Sequence, residues 1–337
     1  MTAASPREGG PVDEVRAADS ETVAAAGRDA VARALAEDVS EAGDVTSVAT
    51  IPVDVVGRAD LVARADGVVA GLGLIAEVYR QLAARHDAGA PGDGCAEVPG
   101  GGGGDLPGDV EVTLFAADGD RVVAGQTVAH VVGPLRTILT GERTALNLVC
   151  HLSGIATATR AFVDAVAGTG CVVRDTRKTV PGLRLLAKAA VRAGGGSNHR
   201  IGLSDGLLVK DNHVEVAGSV AAATTAALAA AGGLAVQVEV DTLDQLEEAL
   251  AAGARDVLLD NLDVDATRAA VRRVRELESR YGRILIESSG SLGLDDAAAY
   301  ARTGVDRIAV GAITHSAPQL DLGLDVRPLR GEPRQEA

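Results

Sequence analysis

The chain has 337 residues, a length that suggests about two domains at about 150 residues each and excludes a disulfide-stapled mini-protein. Its 32 basic against 47 acidic residues leave a net charge of −15, and with two Phe, three Tyr and no Trp it offers little to nucleic acid or to an anionic membrane. Three widely spaced cysteines without a CxxC pair argue against a disulfide framework or zinc site, no apolar run reaches the ~18 residues of a membrane span, and a cytoplasmic protein is expected.

Residues 1–20 are polar and read as a disordered tail. Apolar residues recur at helical spacing over 21–37, and EDVSEAGDVTS after them reads as an exposed loop. Two β-rich runs follow at 55–63 and 67–70, then a helix over 74–85. Segment 87–108, with GDG, PGGGGG and PGD, reads as a flexible surface insertion. Strand-like 110–115 and the alternating 121–132 complete a small α/β unit, and a helical pattern over 135–167 leads out of it.

After residue 170 short β-branched runs alternate with Ala-rich helical stretches. The runs are CVVRD (171–175), GLLVKD (206–211), VQVEV (236–240), DVLLD (256–260), RILIES (283–288) and RIAVG (307–311). This alternation predicts βα units around a parallel sheet, and the apolar character of the runs predicts burial on both faces. Six such units favour a closed or nearly closed barrel, with a doubly wound open sheet as runner-up.

Polar residues collect where these runs end. Asp175, Thr176, Arg177 and Lys178 follow the first; Lys210, Asp211, Asn212 and His213 close the second; Glu239 and Asp241 end the third; Asp260 and Asn261 end the fourth. Glu287, Ser288, Ser289 and Gly290 end the fifth, and Gly311 the last. In an α/β barrel such ends share one rim, where active sites are built. Arg177, Lys178, His199, Arg200 and Lys210 would then face Glu239 and Asp260 in one cup, which points to a small polyanionic ligand. Rim salt bridges explain any one of these residues as well. For the set they explain less: 29 of the 32 basic residues are Arg, yet two of the three Lys fall in the cup. SSGS (288–291) and GAIT (311–314), at the last two strand-to-helix turns, suit a phosphate. GGGSNHR (194–200) reads as a Gly-rich loop mobile over the site.

Three other signals carry less weight. GLGLIA (71–76) fits a dinucleotide turn but lacks the acidic residue expected about 20 positions on. PGGGGG has no Lys-Ser or Lys-Thr after it, and His86, His130, His151 and His315 lack ligand spacing.

GERTALNLVCHLSGIATATR (141–160), RDTRKTVPGLRLLAKAAVRAGGGSNHRIGLSDGLLVKDNH (174–213), VEVDTLDQLEEAL (238–250), LLDN (258–261) and ESSGSL (287–292) together resemble the signatures of one family. It is the quinolinate phosphoribosyltransferase family, the carboxylating nicotinate-nucleotide pyrophosphorylases, and the resemblance spans about residues 21–326. It implies an α/β fold: a small N-terminal α/β domain over 21–143, to which 317–326 return, and an incomplete TIM-like α/β barrel over 144–316. It also implies a homodimer with shared active sites, Arg143 reaching across from the partner.

The resemblance places Arg143, Arg177, His199, Arg200 and Lys210 around the carboxylates of quinolinate, and Lys178 beside phosphoribosyl pyrophosphate. Glu239 and Asp260 fall near the ribose and a Mg²⁺ ion, and Ser289, Gly290 and Gly311 at the 5′-phosphate. Lys178, Glu239 and Asp260 are the catalytic candidates, Glu239 and Asp260 the metal candidates. The implied reaction transfers phosphoribosyl to quinolinate with loss of carbon dioxide, giving nicotinate mononucleotide for NAD biosynthesis. The chain departs from the family pattern at Ser291, where a Gly is usual, and in the long 87–108 insertion. Two rivals stay open: a related phosphoribosyltransferase for another acidic heterocycle, and an aldolase-like lyase with a Schiff base at Lys210. A phosphate-binding module without catalysis is a third.

Overall fold

In a computed structural model the chain is described over residues 18–40, 42–87 and 110–329. The expected tail up to residue 17 and the Gly-rich insertion from residue 88 lie outside the described residues. The fold divides into two compact units: one of Ser20–Val163, Lys178–Gly196 and the chain from Gly311 on, the other of Asp164–Arg177 and Ser197–Val310.

The first unit begins with helix α1 (Ser20–Asp38), whose Gly27, Val31 and Leu35 recur every fourth residue and are buried. Helix α2 (Val45–Thr50) follows where the sequence reads as loop. It is too short to show a periodicity, and its start is fixed by Asp44, which accepts hydrogen bonds from the backbone of Thr46 and Ser47. Then come β1 (Val56–Ala63), β2 (Gly67–Val68), α3 (Gly73–Asp87), β3 (Glu111–Leu114), β4 (Arg121–Val122) and β5 (Thr127–Pro134). The alternating run over 121–132 is thus two strands, parted by a turn that Gln126 N–H closes onto the Val123 carbonyl. The 31-residue helix α4 (Leu135–Ala165) carries the chain onward.

Chain order continues with β6 (Val172–Arg174), α5 (Arg184–Ala193), β7 (Leu207–Val209), α6 (Asp211–Ala217), α7 (Val220–Ala230), β8 (Val236–Val240) and α8 (Leu243–Ala251). It ends with β9 (Asp256–Asp260), α9 (Val264–Tyr281), β10 (Leu285–Ser289), α10 (Leu294–Ala301), β11 (Arg307–Ala309), α11 (Ala312–His315) and β12 (Leu322–Pro328). Helix α5 belongs to the first unit, where it packs on α1. So does β12, which pairs antiparallel with β1, Ala59 opposite Val326, and completes a sheet of order β12-β1-β5-β3. On its way back the chain crosses α4 at Gly154, where a Cβ would lie 2.2 Å from the Pro318 carbonyl oxygen; only glycine fits.

The second unit is a parallel sheet of order β6-β11-β10-β9-β8-β7. Strands β7 to β11 neighbour one another in chain order and β6 then joins β11, so the order runs around a circle with one opening, between β6 and β7. A doubly wound sheet would reverse direction at a switch point, and this one does not. The architecture is an incomplete α/β barrel.

Alternate residues of these strands face opposite ways. Val173, Val238, Val257, Ile286 and Ile308 are buried and apolar, and supply one side of the core together with Leu246, Leu250 and Val274 of the helices. The expectation that both faces are apolar is corrected on the other side. There Arg174, Gln237, Asp256, Glu287 and Arg307 meet, and all but the half-buried Asp256 are fully buried. Each run carries only one or two such residues, so it reads as apolar although every second position of the layer is polar.

Candidate active site

The inner layer of the barrel is a closed ionic ring. Glu287, fully buried on β10, receives Arg174 Nη1 at 2.7 Å and Arg307 Nε at 3.2 Å, and Arg307 also binds the Asp256 carboxylate. Burial opposes charge on Glu287, yet Arg174 first, then His199, whose Nε2 lies 3.7 Å from Glu287 Oε1, and Arg307 hold its carboxyl below the usual glutamate range. Gln237 Nε2 donates to Asp256 at 2.9 Å, and Gln237 Oε1 lies 2.9 Å from His199 Nε2. Arg174 Nη2 donates to the Asn198 carbonyl, which closes the ring.

The same ring fastens the Gly-rich segment expected to be mobile. Ser197 N–H donates to the Val173 carbonyl, and the buried Asp175 takes Asn198 Nδ2 at 2.6 Å and His199 N–H at 2.8 Å. Asn198, His199 and Arg200 are thereby held at the open edge of the barrel, beside β6.

Arg177 and Arg200 stand out above this layer. Arg200 is buried, its Nη1 donating to the Gly206 carbonyl at 2.9 Å. Its charge is disfavoured first by burial and then by the Arg177 guanidinium. The Nε–H of each arginine is buried without a hydrogen-bond partner. Two neighbouring cations with unfilled donors require an anion, and a carboxylate satisfies such donors best.

Lys210, at the end of β7, is ion-paired to Glu239 of β8 at 2.8 Å. Burial pushes the Glu239 carboxyl up; the Lys210 hydrogen bond opposes this, and the negative charges of Asp260 and Asp211 add to it. Asn261 joins the ends of β9 and β10: its Nδ2 donates to Asp260 at 2.7 Å and its backbone N–H to the Ser289 carbonyl. Gly290 has φ +137°, and a Cβ there would lie 2.7 Å from Asn261 Oδ1, so the turn after Ser289 needs glycine on both counts. Ser291 beside it is exposed. The second unit thus brings Arg177 to Arg200, and Lys210 and Asp260 to Glu239, with Ser289 and Gly290 at the strand end beside Asp260.

Three candidates belong to the first unit. Arg143 is exposed on α4. The Lys178 carbonyl accepts the Thr314 hydroxyl at 2.7 Å, and a Cβ on Gly311 would meet the Lys178 stem at 3.2 Å, so Lys178 lies across Gly311. His199, expected to face the ligand, is engaged by protein at both ring nitrogens, Nδ1 accepting the Arg200 N–H at 2.7 Å.

Models of known families match the chain from residue 103 on: quinolinate phosphoribosyl transferase, N-terminal domain, over residues 103–153, and its C-terminal domain over 155–325. The chain belongs to the quinolinate phosphoribosyltransferase family. It is 48% identical over 301 residues to the nicotinate-nucleotide pyrophosphorylase (carboxylating) of Mycobacterium leprae, covering 89% of this chain and 97% of that relative. Among solved structures it is similar to the nicotinate-nucleotide pyrophosphorylase of Francisella tularensis, with TM-score 0.79, 34% identity, and 94% of this chain and 100% of that one covered. The corresponding Ehrlichia chaffeensis structure aligns with TM-score 0.76 at 32% identity, covering 89% of this chain and 98% of that one.

In this member of the quinolinate phosphoribosyltransferase family, the site residues absent from the sequence reading are Arg174, Gln237, Asp256 and Arg307; Asp175 and Glu287, read as rim residues, belong to the ring and to its anchor on the 198–200 segment. A signal for them exists. Three runs hold a charged or amide residue on the same alternation as a polar rim residue that follows it: Gln237 before Glu239, Asp256 before Asp260 and Glu287 before Ser289.

Proposed function

We propose that the chain transfers the phosphoribosyl group of phosphoribosyl pyrophosphate to the ring nitrogen of quinolinate, with loss of carbon dioxide, to give nicotinate mononucleotide and pyrophosphate. The observation that carries this reading is the pair of neighbouring arginines, Arg177 and Arg200, whose buried Nε–H groups have no partner. A dicarboxylate supplies what both lack. The names of the relatives over nearly their full length support the same activity.

On this reading Arg177 and Arg200 hold the carboxylates and orient the ring nitrogen toward the anomeric carbon. Positive charge develops on the ribose as pyrophosphate departs, and Glu239 and Asp260 are the carboxylates that stabilise it. Lys210, paired to Glu239, keeps two adjacent acids compatible with a third anion, the substrate. After N-ribosylation the cationic ring accepts the electrons released as the adjacent carboxylate leaves, so no covalent nucleophile is required. Lys178 across Gly311 serves the pyrophosphate, and the turn at Ser289 and Gly290 the 5′-phosphate.

Among the described residues no three His, Cys, Asp or Glu gather to hold a metal alone. Mg²⁺ is commonly held by one or two carboxylates plus substrate phosphates, and Glu239 with its acidic neighbour Asp260 fits that share. When bound, Mg²⁺ would neutralise charge on the leaving pyrophosphate.

We further propose a cytoplasmic homodimer whose sites are completed by the partner's Arg143, with residues 144–316 as the phosphoribosyltransferase domain. Exposure of Arg143 on α4 and the free thiols Cys150 and Cys171 support this. No helix among the described residues is long and apolar enough to cross a membrane. The test is to mix purified protein with quinolinate, phosphoribosyl pyrophosphate and Mg²⁺. Nicotinate mononucleotide and carbon dioxide in equal amounts are expected, and absence of both overturns the reading.

A further inference from the structure

His199 lies beside the arginine pair yet presents neither ring nitrogen to a ligand. Its hydrogen bonds have a direction, and that direction is set at their far end. Asp256 is bound to the Arg307 guanidinium as a carboxylate, so it only accepts. Gln237 therefore turns its Nε2 amine to Asp256 at 2.9 Å and its carbonyl oxygen to His199 at 2.9 Å. The imidazole must then donate from Nε2, which also faces Glu287 Oε1 at 3.7 Å, and accept at Nδ1, where the Arg200 backbone N–H arrives at 2.7 Å. A proton on Nδ1 would set donor against donor at that contact. Arg200 is the residue that loses by it, because its course from that N–H leads to the Gly206 carbonyl and to the unfilled Nε–H beside Arg177.

We propose that Gln237 is a positioning residue for the substrate-binding arginine: it relays the acceptor character of Asp256 to His199, locking the ring as the neutral Nε2–H tautomer, whose Nδ1 holds Arg200 toward the ligand. His199 then acts through Arg200 and binds no ligand itself. The ligand's identity rests on the function proposed above; the tautomer does not.

Two measurements test this separately. In the intact protein labelled with ¹⁵N-histidine, the signal missing from His199→Asn should show a neutral ring with an Nε2 proton at neutral pH. A ring protonated on Nδ1, or on both nitrogens, overturns the proposal whether or not quinolinate is the substrate. In steady-state kinetics Gln237→Met should raise the KM for quinolinate roughly tenfold, with kcat and the KM for phosphoribosyl pyrophosphate within about threefold, and should lose the Nε2–H signature. Gln237→Glu should restore both, since a carboxyl sharing its proton with Asp256 still accepts from Nε2–H. A Met variant with wild-type quinolinate KM overturns the relay. If that variant does not fold, the wild-type ring signature and the Glu variant decide. A wild type that never turns over quinolinate counts against the proposed function, while the ring signature still judges the lock.

Discussion

In the inner layer of the barrel Arg174 and Arg307 meet Glu287 and Asp256, two cations against two anions, joined by an amide and an imidazole into a ring. Next along the same face, toward the strand ends, Arg177 and Arg200 stand beside each other with buried donors unfilled, and Glu239 has two acids and one lysine around it. Both regions are ionic and both draw on arginines and acids of the same strands. The inner layer balances two cations against two anions at ion-pair distance, so its charges hold the structure even though Glu287 Oε1 and Arg307 Nε lack a hydrogen bond. At the rim Glu239 is paired to Lys210 and Asp260 accepts from Asn261, while the buried Nε–H groups of the neighbouring Arg177 and Arg200 have no partner.

Removing one partner should therefore damage the two regions differently. The largest effect is expected from Glu287→Ala, which leaves Arg174 and Arg307 buried without their shared acid and should cost about 3–5 kcal/mol of unfolding free energy in a denaturant titration. Because its folded pKa lies below the ordinary 4.5, the stability that Glu287 contributes is complete above about pH 4.5 and is lost as pH falls through the depressed value. Comparing acid unfolding of the wild type with Glu287→Gln isolates this contribution, and identical curves would erase the distinction between the regions.

Arg200→Met and Arg177→Met should do the reverse. Each is expected to lower kcat/KM for quinolinate by roughly a hundredfold or more, the consequence of truncating one partner of a buried charged contact. Stability should hold or rise, since burial and the Arg177 guanidinium both disfavour the charge of Arg200. A variant that loses stability instead of affinity would move that arginine into the structural class.

Glu239→Gln comes next, with an expected drop of about 10²-fold in kcat. Burial raises the Glu239 carboxyl, so it regains its proton at higher pH than an ordinary glutamate as the solution is acidified. The acid limb of the wild-type kcat profile should follow it and disappear in the variant. The smallest effect belongs to Gly290→Ala, where the left-handed backbone and the contact with Asn261 should cost about 1–3 kcal/mol. The KM for phosphoribosyl pyrophosphate should rise with it, while the quinolinate KM stays unchanged.

The rim was legible because its residues sit in runs, DTRK, NHR and VKDNH, where the chain leaves a strand and polarity is conspicuous. The four ring residues Arg174, Gln237, Asp256 and Arg307 were not, because each is a single polar residue beside or within an apolar run. Arg174 and Glu287 are 113 positions apart and touch only when β11 lies between β6 and β10. His199 was legible as a site residue but not in its task, since one letter does not tell which way a ring points. The short helix α2 escaped for another reason: six residues hold less than two turns, and its cap at Asp44 looks like any loop aspartate.

By itself the sequence determined the βα alternation, the family, and the set of ionic groups at the strand ends, because local periodicity and contiguous motifs are written in neighbouring residues. Tertiary structure alone decided where the barrel opens, which charges cancel and which are left wanting. Pairing depends on strand order and on which face each side chain takes, and both are settled by contacts between residues from about 20 to 113 positions apart.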